Sequence, residues 1–292
     1  MAQTAEALVH MDSGCCTNSS FDAELEAKSR TESCSSSSVM DSEDVAATAT
    51  TMATTAAGNT TRSTKSSTSS YSSCNDMADE VWNNFIFKPV QTEDYPRVLA
   101  HMREAFYRDE PLNAITGYSE EKAQDMDQMI TSYFKDGLST IVLDKDTNKV
   151  AGARIIAIYR RNETHSRLKL KSPEMCKIMP FLDKVDEEAG IFSHYPDLDE
   201  YAELFMASVH PEFRGQGLAG EMYRGAIRLL QARGLKLLKS CFTSPFTRKI
   251  GEKMNFRELA EAKFNEYRDD DGEIVFPTAR DDECAVIGVL EI

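Results

Sequence analysis

A glycine-rich stretch at residues 214–220 carries the residue types that bind an anion. It follows an apolar run, LFMASV at 204–209, which predicts a buried strand, and Pro211 ends this strand because proline cannot donate to a sheet ladder. Apolar residues recur at helical spacing from Met222 onward, so the sequence predicts that a helix begins within the glycine loop. Unpaired N–H groups and partial positive charge at a helix start suit a phosphate, and Arg214 adds a forked cation.

Two common nucleotide-binding motifs do not fit this loop. Its glycines lack Gly-x-Gly-x-x-Gly spacing, and no Gly-Lys-Ser/Thr ending follows them. The pattern Arg-x-x-Gly-x-Ala at 214–219 instead resembles the loop with which the GNAT N-acetyltransferase superfamily holds the pyrophosphate of acetyl-CoA. A glycine turn that only joins a strand to a helix is the alternative. The resemblance implies acetyl-CoA as co-substrate, bound by Ser208, Val209, Arg214, Gly215, Gln216, Gly217, Leu218, Ala219, Gly220 and Ser244.

Composition narrows the class of protein. The 292 residues suffice for one large domain or two small ones, and they contain neither an 18-residue apolar run nor a basic-then-apolar leader, so we expect a cytoplasmic protein without membrane contact. The net charge of −15 argues against a nucleic-acid partner and is compatible with a cationic small substrate. The seven cysteines lack metal-site spacing, so no metal is expected. We expect a monomer.

The chain divides by composition into two regions. Residues 1–81 are rich in Ser, Thr, Ala and acidic side chains, and such a segment buries too little apolar surface to offset its ordering entropy, so we predict a disordered tail. The first 80 residues carry 12 acidic and 4 basic side chains, about half of the net negative charge. Residues 82–292 are predicted to form one folded domain.

The predicted elements of this domain alternate in type. Thr92 is expected to cap a first helix that ends before Pro111, which leaves a stiff acidic corner at 109–113. Strands are predicted at 85–90, 139–143, 150–159, 204–209, 235–242, 256–267 and 285–290, and further helices at 120–135, after Pro173, after the glycine loop and at 245–254. This order predicts an α/β fold with a mixed sheet and helices on both faces, as in the GNAT superfamily. The superfamily's opening beside the central strand would hold the pantetheine arm.

Three segments make the resemblance more specific. The sequence YRDEPLN at 107–113, the stretch 208–220 and the stretch 264–277 are similar to the insect arylalkylamine N-acetyltransferases. The similarity covers residues 82–292, although the middle from about 117 to 199 is only generic. It implies direct transfer of the acetyl group of acetyl-CoA to the primary amine of dopamine, serotonin, tyramine or octopamine.

The chemistry requires a proton acceptor, because an alkylamine with a pKa near 10.4 is neutral in only about one molecule in a thousand at pH 7. The resemblance assigns this role to Glu110, while Asp109 would attract the cation; the alternative is that both are surface carboxylates. It also implies a base–hydroxyl arrangement with Thr243 and Thr247, for which helix capping or contact with the donor is the alternative we favour. A strand N–H near residues 208–210 would stabilise the oxyanion.

One position departs from the superfamily. Many members place a tyrosine, the acid for the departing thiolate, where this chain has Gly251, so the usual acid is excluded. His210 is a further candidate acid or base, although a loop histidine is more often incidental.

Two other functions remain open. A polyamine acceptor would need an acidic pocket, for which Asp183, Asp186, Glu187 and Glu188 are available. A non-catalytic CoA-binding module would keep the glycine loop and use Glu110 only structurally.

Overall fold

The computed structural model describes residues 79–163 and 169–292. The predicted disordered tail lies outside these residues except for its last three positions, 79–81, of which Glu80 already belongs to a strand. Within the described part of the chain, no helix combines the length and apolar character needed to cross a bilayer.

Eight strands of the described residues form one sheet in the order β1-β2-β3-β4-β5-β6-β8-β7. Neighbouring strands are antiparallel except β5 and β6, which are parallel. The mixed sheet is therefore as predicted. The strands are β1 Glu80–Trp82, β2 Phe85–Pro89, β3 Thr140–Asp144, β4 Val150–Arg160, β5 Glu200–Val209, β6 Leu237–Phe242, β7 Arg257–Lys263 and β8 Cys284–Glu291.

The helices connect these strands in the expected order. A first helical segment runs without a break through α1, a π-helical stretch at Met102–Phe106 and α2, and the remaining helices include two of only one to two turns. The α-helices are α1 Tyr95–His101, α2 Tyr107–Asp109, α3 Pro111–Thr116, α4 Gln124–Phe134, α5 Met175–Ala189, α6 Ile191–His194, α7 Leu218–Ala232 and α8 Pro245–Lys253.

Three predicted details are wrong. Thr92 does not cap the first helix: it opens a 3-10 turn, and the Asp94 carboxylate accepts from the backbone N–H of Gln91 at 3.2 Å. The first helical segment ends before Pro111 as predicted, but residues 111–113 of the predicted corner are helical, because Pro111 occupies the first position of α3, where its fixed φ and missing N–H are tolerated. The strand predicted at 256–267 ends at Lys263, where the chain enters a 3-10 turn.

Apolar side chains cover both faces of the sheet, as predicted. One face packs against α1, α4 and α5 through a core that includes Val98, Ile130, Phe181, Ile155 and Ile287. The opposite face packs against α7 and α8 through a core that includes Tyr223, Ala226, Leu230, Leu204 and Phe242. The sheet therefore lies between two layers of helices. The candidate functional residues described below lie around the C-terminal parts of β5 and β6.

Candidate active site

β5 and β6 separate from each other along most of their length. They pair only at Ala202–Leu238 and Glu203–Lys239, although β5 continues to Val209 and β6 to Phe242. The register between β4 and β5 shifts just beyond this point, and such bulges bend and twist a strand. The structure therefore contains the predicted opening beside the central strand, with backbone groups of β5 free for a ligand.

The backbone of Val209 faces this opening. The N–H of His210 donates to Ala151 on β4 at 2.9 Å, and Val209 lies opposite Gly152 as the next pair of the ladder. Because neighbouring residues of a strand direct their N–H groups to opposite sides, the N–H of Val209 is directed away from β4 and towards the opening. Of the three positions 208–210, Val209 is thus the one whose N–H can reach an oxyanion.

The glycine loop leads into the N-terminus of α7. Gly215 and Gly217 have φ values of +77° and +81°, a left-handed backbone that glycine adopts without cost. The first helical hydrogen bond runs from Glu221 N–H to the carbonyl of Gly217 at 3.2 Å, so the N–H groups of Leu218, Ala219 and Gly220 precede the ladder. The side chain of Leu218 is buried and fixes this turn onto the sheet, whereas Gln216 is exposed.

Arg214 is joined to the acidic corner. Its Nη2 donates to Asp109 Oδ2 at 2.5 Å, and its Nε donates to the Val209 carbonyl at 3.0 Å. Asp109 also accepts from Arg108 at 2.6 Å. The hydrogen bonds from the two arginines hold the pKa of Asp109 below its ordinary value, and the bond from Arg108 has the larger effect. Asp109 is therefore a poor proton acceptor, and two arginines neutralise it. The Arg214 side chain is about half exposed beside the glycine loop, so the other edge of its guanidinium can still bind an anion.

Glu110 lies where the chain turns from α2 into α3. Its backbone is extended, and its Oε2 accepts from the N–H of Asn113 at 2.8 Å, so it caps α3. Burial raises the pKa of Glu110, while hydrogen bonds from Asn113, the Thr243 hydroxyl and Leu112 oppose this rise. A carboxylate with a raised pKa is suited to accept a proton nearer neutral pH than an ordinary glutamate.

The three hydroxyl residues after β6 have different surroundings. Thr243 contacts Glu110, as described above. Ser244 caps α8: its Oγ accepts from the N–H of Thr247 at 3.3 Å and lies 3.1 Å from Thr247 Oγ1. The hydroxyl of Thr247 donates to the Ser244 carbonyl at 3.0 Å. The structure thus brings Thr243 to the predicted base and arranges Ser244 and Thr247 as a helix cap.

Two histidines lie beside the end of β5. Nε2 of His210 is 3.3 Å from Glu104 Oε1, and its Nδ1 accepts from the N–H of Glu212 at 3.3 Å. The ring of His101 is 6.2 Å from that of His210, and burial lowers the pKa of His101 to about 4 although the Ser208 carbonyl opposes this. Both His101 and Glu104 come from the region of the π-helical stretch. Sequence reasoning missed them because helix α1 meets β5 only in the folded chain.

The position of the absent tyrosine is filled by another side chain. A Cβ added at Gly251 would lie 2.4 Å from Cζ of Phe242, closer than atoms can approach. The Phe242 ring in turn stacks on Tyr223 at 6.5 Å between centroids. The Phe242 ring thus occupies the space that a side chain at position 251 would need.

A buried ion cluster lies at the base of the opening. Lys239 Nζ is 3.0 Å from Glu203 Oε1 and 2.5 Å from Asp186 Oδ2, and Lys239 is fully buried. Burial by itself would lower the pKa of Lys239, but Asp186 and Glu203 raise it well above its ordinary value.

The chain as a whole agrees with one family. The model of the acetyltransferase (GNAT) family matches residues 99–250, slightly more than half of the sequence. The chain belongs to this family. The match spans Glu110, the strand beside the opening, the glycine loop and the hydroxyl residues after β6.

Solved GNAT structures share this fold. A putative arylalkylamine N-acetyltransferase 7 from the yellow fever mosquito is 24% identical, with a TM-score of 0.65 over 71% of this chain and 87% of that one. Arylalkylamine N-acetyltransferase 2 from Aedes aegypti is 24% identical, with a TM-score of 0.66 over 72% of this chain and 100% of that one. A polyamine N-acetyltransferase from Drosophila melanogaster is 14% identical, with a TM-score of 0.61 over 71% and 100%. The resemblance to the GNAT fold is thereby confirmed.

Proposed function

We propose that this protein transfers the acetyl group of acetyl-CoA to the primary amine of an arylalkylamine such as dopamine, serotonin, tyramine or octopamine. The observation that carries the proposal is the Glu110 carboxylate, which burial gives a raised pKa and which Thr243 joins to the end of β6. In a family of acetyltransferases, a proton acceptor beside the opening of the sheet fits the needs of an amine acceptor.

The donor would bind between β5 and β6. The N–H groups of Leu218, Ala219 and Gly220, with Arg214, would hold the pyrophosphate, and the pantetheine arm would add along the unpaired edge of β5. The backbone N–H groups of Gly215 and Gln216 would face the phosphates. Ser208 would contribute to the part of β5 along which the donor lies. The N–H of Val209 would donate to the oxyanion that forms on the carbonyl oxygen.

Transfer would take place directly, in a ternary complex. Glu110 removes a proton from the acceptor ammonium, and the neutral nitrogen attacks the carbonyl carbon of the thioester. Collapse of the intermediate breaks the C–S bond and leaves the electron pair on sulfur. The nitrogen then loses its second proton, which the departing thiolate accepts, so that the products are the amide and the thiol of CoA. Thr243 would hold the Glu110 carboxylate in place, while Thr247 and Ser244 would act by fixing the start of α8 beside it.

An aromatic acceptor agrees with the apolar surroundings of Glu110. The core that contains the side chain of Leu112, two residues after Glu110, also contains Phe181, Phe264 and Phe276. The rings of Phe181 and Tyr267 lie 5.0 Å apart, and Tyr267 is partly exposed. Two of the similar structures are named arylalkylamine N-acetyltransferases, which points to the same class of acceptor.

A polyamine acceptor is the second candidate. Glu203 Oε2 and Asp186 Oδ1 are buried atoms without a hydrogen-bond partner among the residues that the structure describes, so the base of the opening has acceptors for a second cation. One similar structure is a polyamine N-acetyltransferase. Against this candidate, Lys239 already places an ammonium between the two carboxylates.

The test is steady-state acetyl transfer by the full chain to dopamine, serotonin, octopamine and spermidine, with acetyl-CoA varied and the product identified by mass. We expect saturable turnover of the aromatic amines. Turnover of spermidine alone would select the polyamine function. CoA binding with no turnover of any amine would contradict both and select the non-catalytic module.

A further inference from the structure

Arg154 is a buried cation without a carboxylate partner. It is 1% exposed, on β4, and among residues 79–163 and 169–292 no acidic side chain forms an ion pair with it. Its Nε and Nη2 have no hydrogen-bond partner within the described part of the chain. Its guanidinium carbon lies 4.0 Å from the centroid of the Tyr223 ring. Burial of an unpaired charge is costly, so a protein that keeps one implies a ligand that brings the opposite charge.

The position of Arg154 relates it to the opening. Arg154 lies opposite Ala207, in the part of β5 that has left β6. The hydroxyl of Tyr223 lies 3.3 Å from Oγ of Ser240, the first residue of β6 beyond its last pair with β5. Tyr223 therefore spans the α7 side of the opening, from β4 to β6, with the Arg154 guanidinium on its ring.

Arg154 is too deep to serve the phosphates. A Cβ on Gly152 would meet the Ser208 carbonyl at 2.8 Å and the Met222 side chain at 3.1 Å, so Gly152 lies under the second turn of α7. Arg154 is two residues, or about 7 Å, further along β4 and away from the glycine loop. A donor that has its pyrophosphate at the loop and its arm along β5 would bring its sulfur end towards this group.

The reaction creates an anion at that end. When the C–S bond breaks, the electron pair stays on sulfur as a thiolate. Glu110 already holds the first proton lost by the amine nitrogen, and the thiolate carries its charge until it receives the second. Gly251 and the Phe242 ring leave no room for the tyrosine that would protonate this sulfur. A nearby guanidinium stabilises a thiolate and lowers the pKa of its thiol.

We propose that Arg154 is a catalytic residue whose free N–H groups stabilise the negative charge that develops on the sulfur of the acyl donor. The inference rests on the proposed function, because it assumes that CoA thioesters bind in the opening. It assigns Tyr223 a positioning role, since its ring and its hydroxyl bond with Ser240 hold the guanidinium in place.

The experiment compares the affinities of CoA and desulfo-CoA, in which hydrogen replaces the thiol, for the full chain across pH. For the wild type we expect CoA to bind progressively more tightly than desulfo-CoA as pH rises, by at least tenfold in the alkaline range. Arg154→Met should lose this preference and keep its affinity for desulfo-CoA. Arg154→Lys should retain part of it, because it keeps the charge.

The thermal midpoint of the ligand-free protein is the second readout. Arg154→Met should unfold at the same or a higher temperature than the wild type, because it removes an unpaired buried charge. A purely structural Arg154 predicts a lower midpoint and an unchanged preference for CoA. If the variants do not fold, the wild-type preference alone decides: equal binding of CoA and desulfo-CoA at every pH overturns the role of Arg154. Binding of neither overturns the donor site itself.

Discussion

The side chain of Thr243, directly after β6, lies against the carboxylate of Glu110 at the start of α3, and its hydroxyl favours the charged form of that carboxylate. This contact connects the side of the opening that β6 forms with the proposed proton acceptor. The same contact distinguishes Thr243 from Thr247, because Thr247 bonds to Ser244 within the cap of α8.

Thr243→Val should change the pH dependence of the reaction. The hydrogen bond from Thr243 opposes the rise in the pKa of Glu110, so its loss raises that pKa further. The base must be unprotonated to act, and the acidic limb of kcat/KM should therefore move to higher pH. Thr247→Val is the matched control: it should lower the free energy of unfolding by about 1 kcal/mol and leave the limb in place. Equal shifts in both variants would contradict the separate roles.

Gly217→Ala should weaken donor binding. The left-handed backbone at Gly217 costs a residue with a Cβ about 1–2 kcal/mol, and relief of this strain would turn the first N–H groups of α7 away from the phosphates. Gly234 is the control because its φ of +77° is similar and nothing lies within 4 Å of its added Cβ. Both variants should lose stability, and calorimetry should detect loss of CoA affinity only in Gly217→Ala. Unchanged CoA affinity in both variants would contradict the assignment of the glycine loop to the donor site.

Arg214→Ala should reduce CoA affinity by roughly 10- to 100-fold, the value of a charge-assisted hydrogen bond to phosphate. The loss should shrink as ionic strength rises. Arg108→Ala provides the comparison, because Arg108 also binds Asp109, whereas Arg214 binds both Asp109 and the Val209 carbonyl at the end of β5. If Arg214→Ala binds CoA as the wild type does, Arg214 serves only as a tie between Asp109 and the end of β5.

Lys239→Met should destabilise the fold by about 3–5 kcal/mol at neutral pH, because it leaves the buried carboxylate of Glu203, and the partly exposed one of Asp186, without a cation. Burial raises the pKa of Glu203 in the folded protein. A raised folded pKa contributes stability at acidic pH that is lost as pH rises, so the deficit should shrink in acid. Denaturant unfolding at neutral and at acidic pH measures the free energy of unfolding under the two conditions. The control, Lys122→Met at the more exposed pair with Glu174, should cost no more than about 1 kcal/mol. Equal small losses would show that the Lys239 cluster carries no net stability.

Local patterns in the sequence predicted the larger part of the fold. Strand β5, the turn at Gly217 and helix α7 follow from an apolar run, a proline and glycines within a few residues of each other. The same locality explains the success at β3 and β4, where a short polar turn separates two apolar runs.

Contacts between distant segments were beyond such reasoning. The buried charges of Arg154 and Lys239 are not marked by their neighbours in the sequence, because Lys239 meets Glu203 only through the parallel pairing of β5 and β6. Similarly, the sequence offered Thr243 and Thr247 as equals, and only the packing of α3 against the end of β6 distinguishes them.

The most direct test of the account is the pH profile of kcat/KM for tyramine, with acetyl-CoA saturating, in the wild type and in Glu110→Gln. Glu93→Gln, a change at an exposed carboxylate of the first 3-10 turn, is the control. We predict an acidic limb in the wild type and in the control, and in Glu110→Gln a kcat/KM lower by about 100-fold or more with the limb lost. A Glu110→Gln variant that keeps both the rate and the pH profile of the wild type would contradict the proposal that Glu110 is the base.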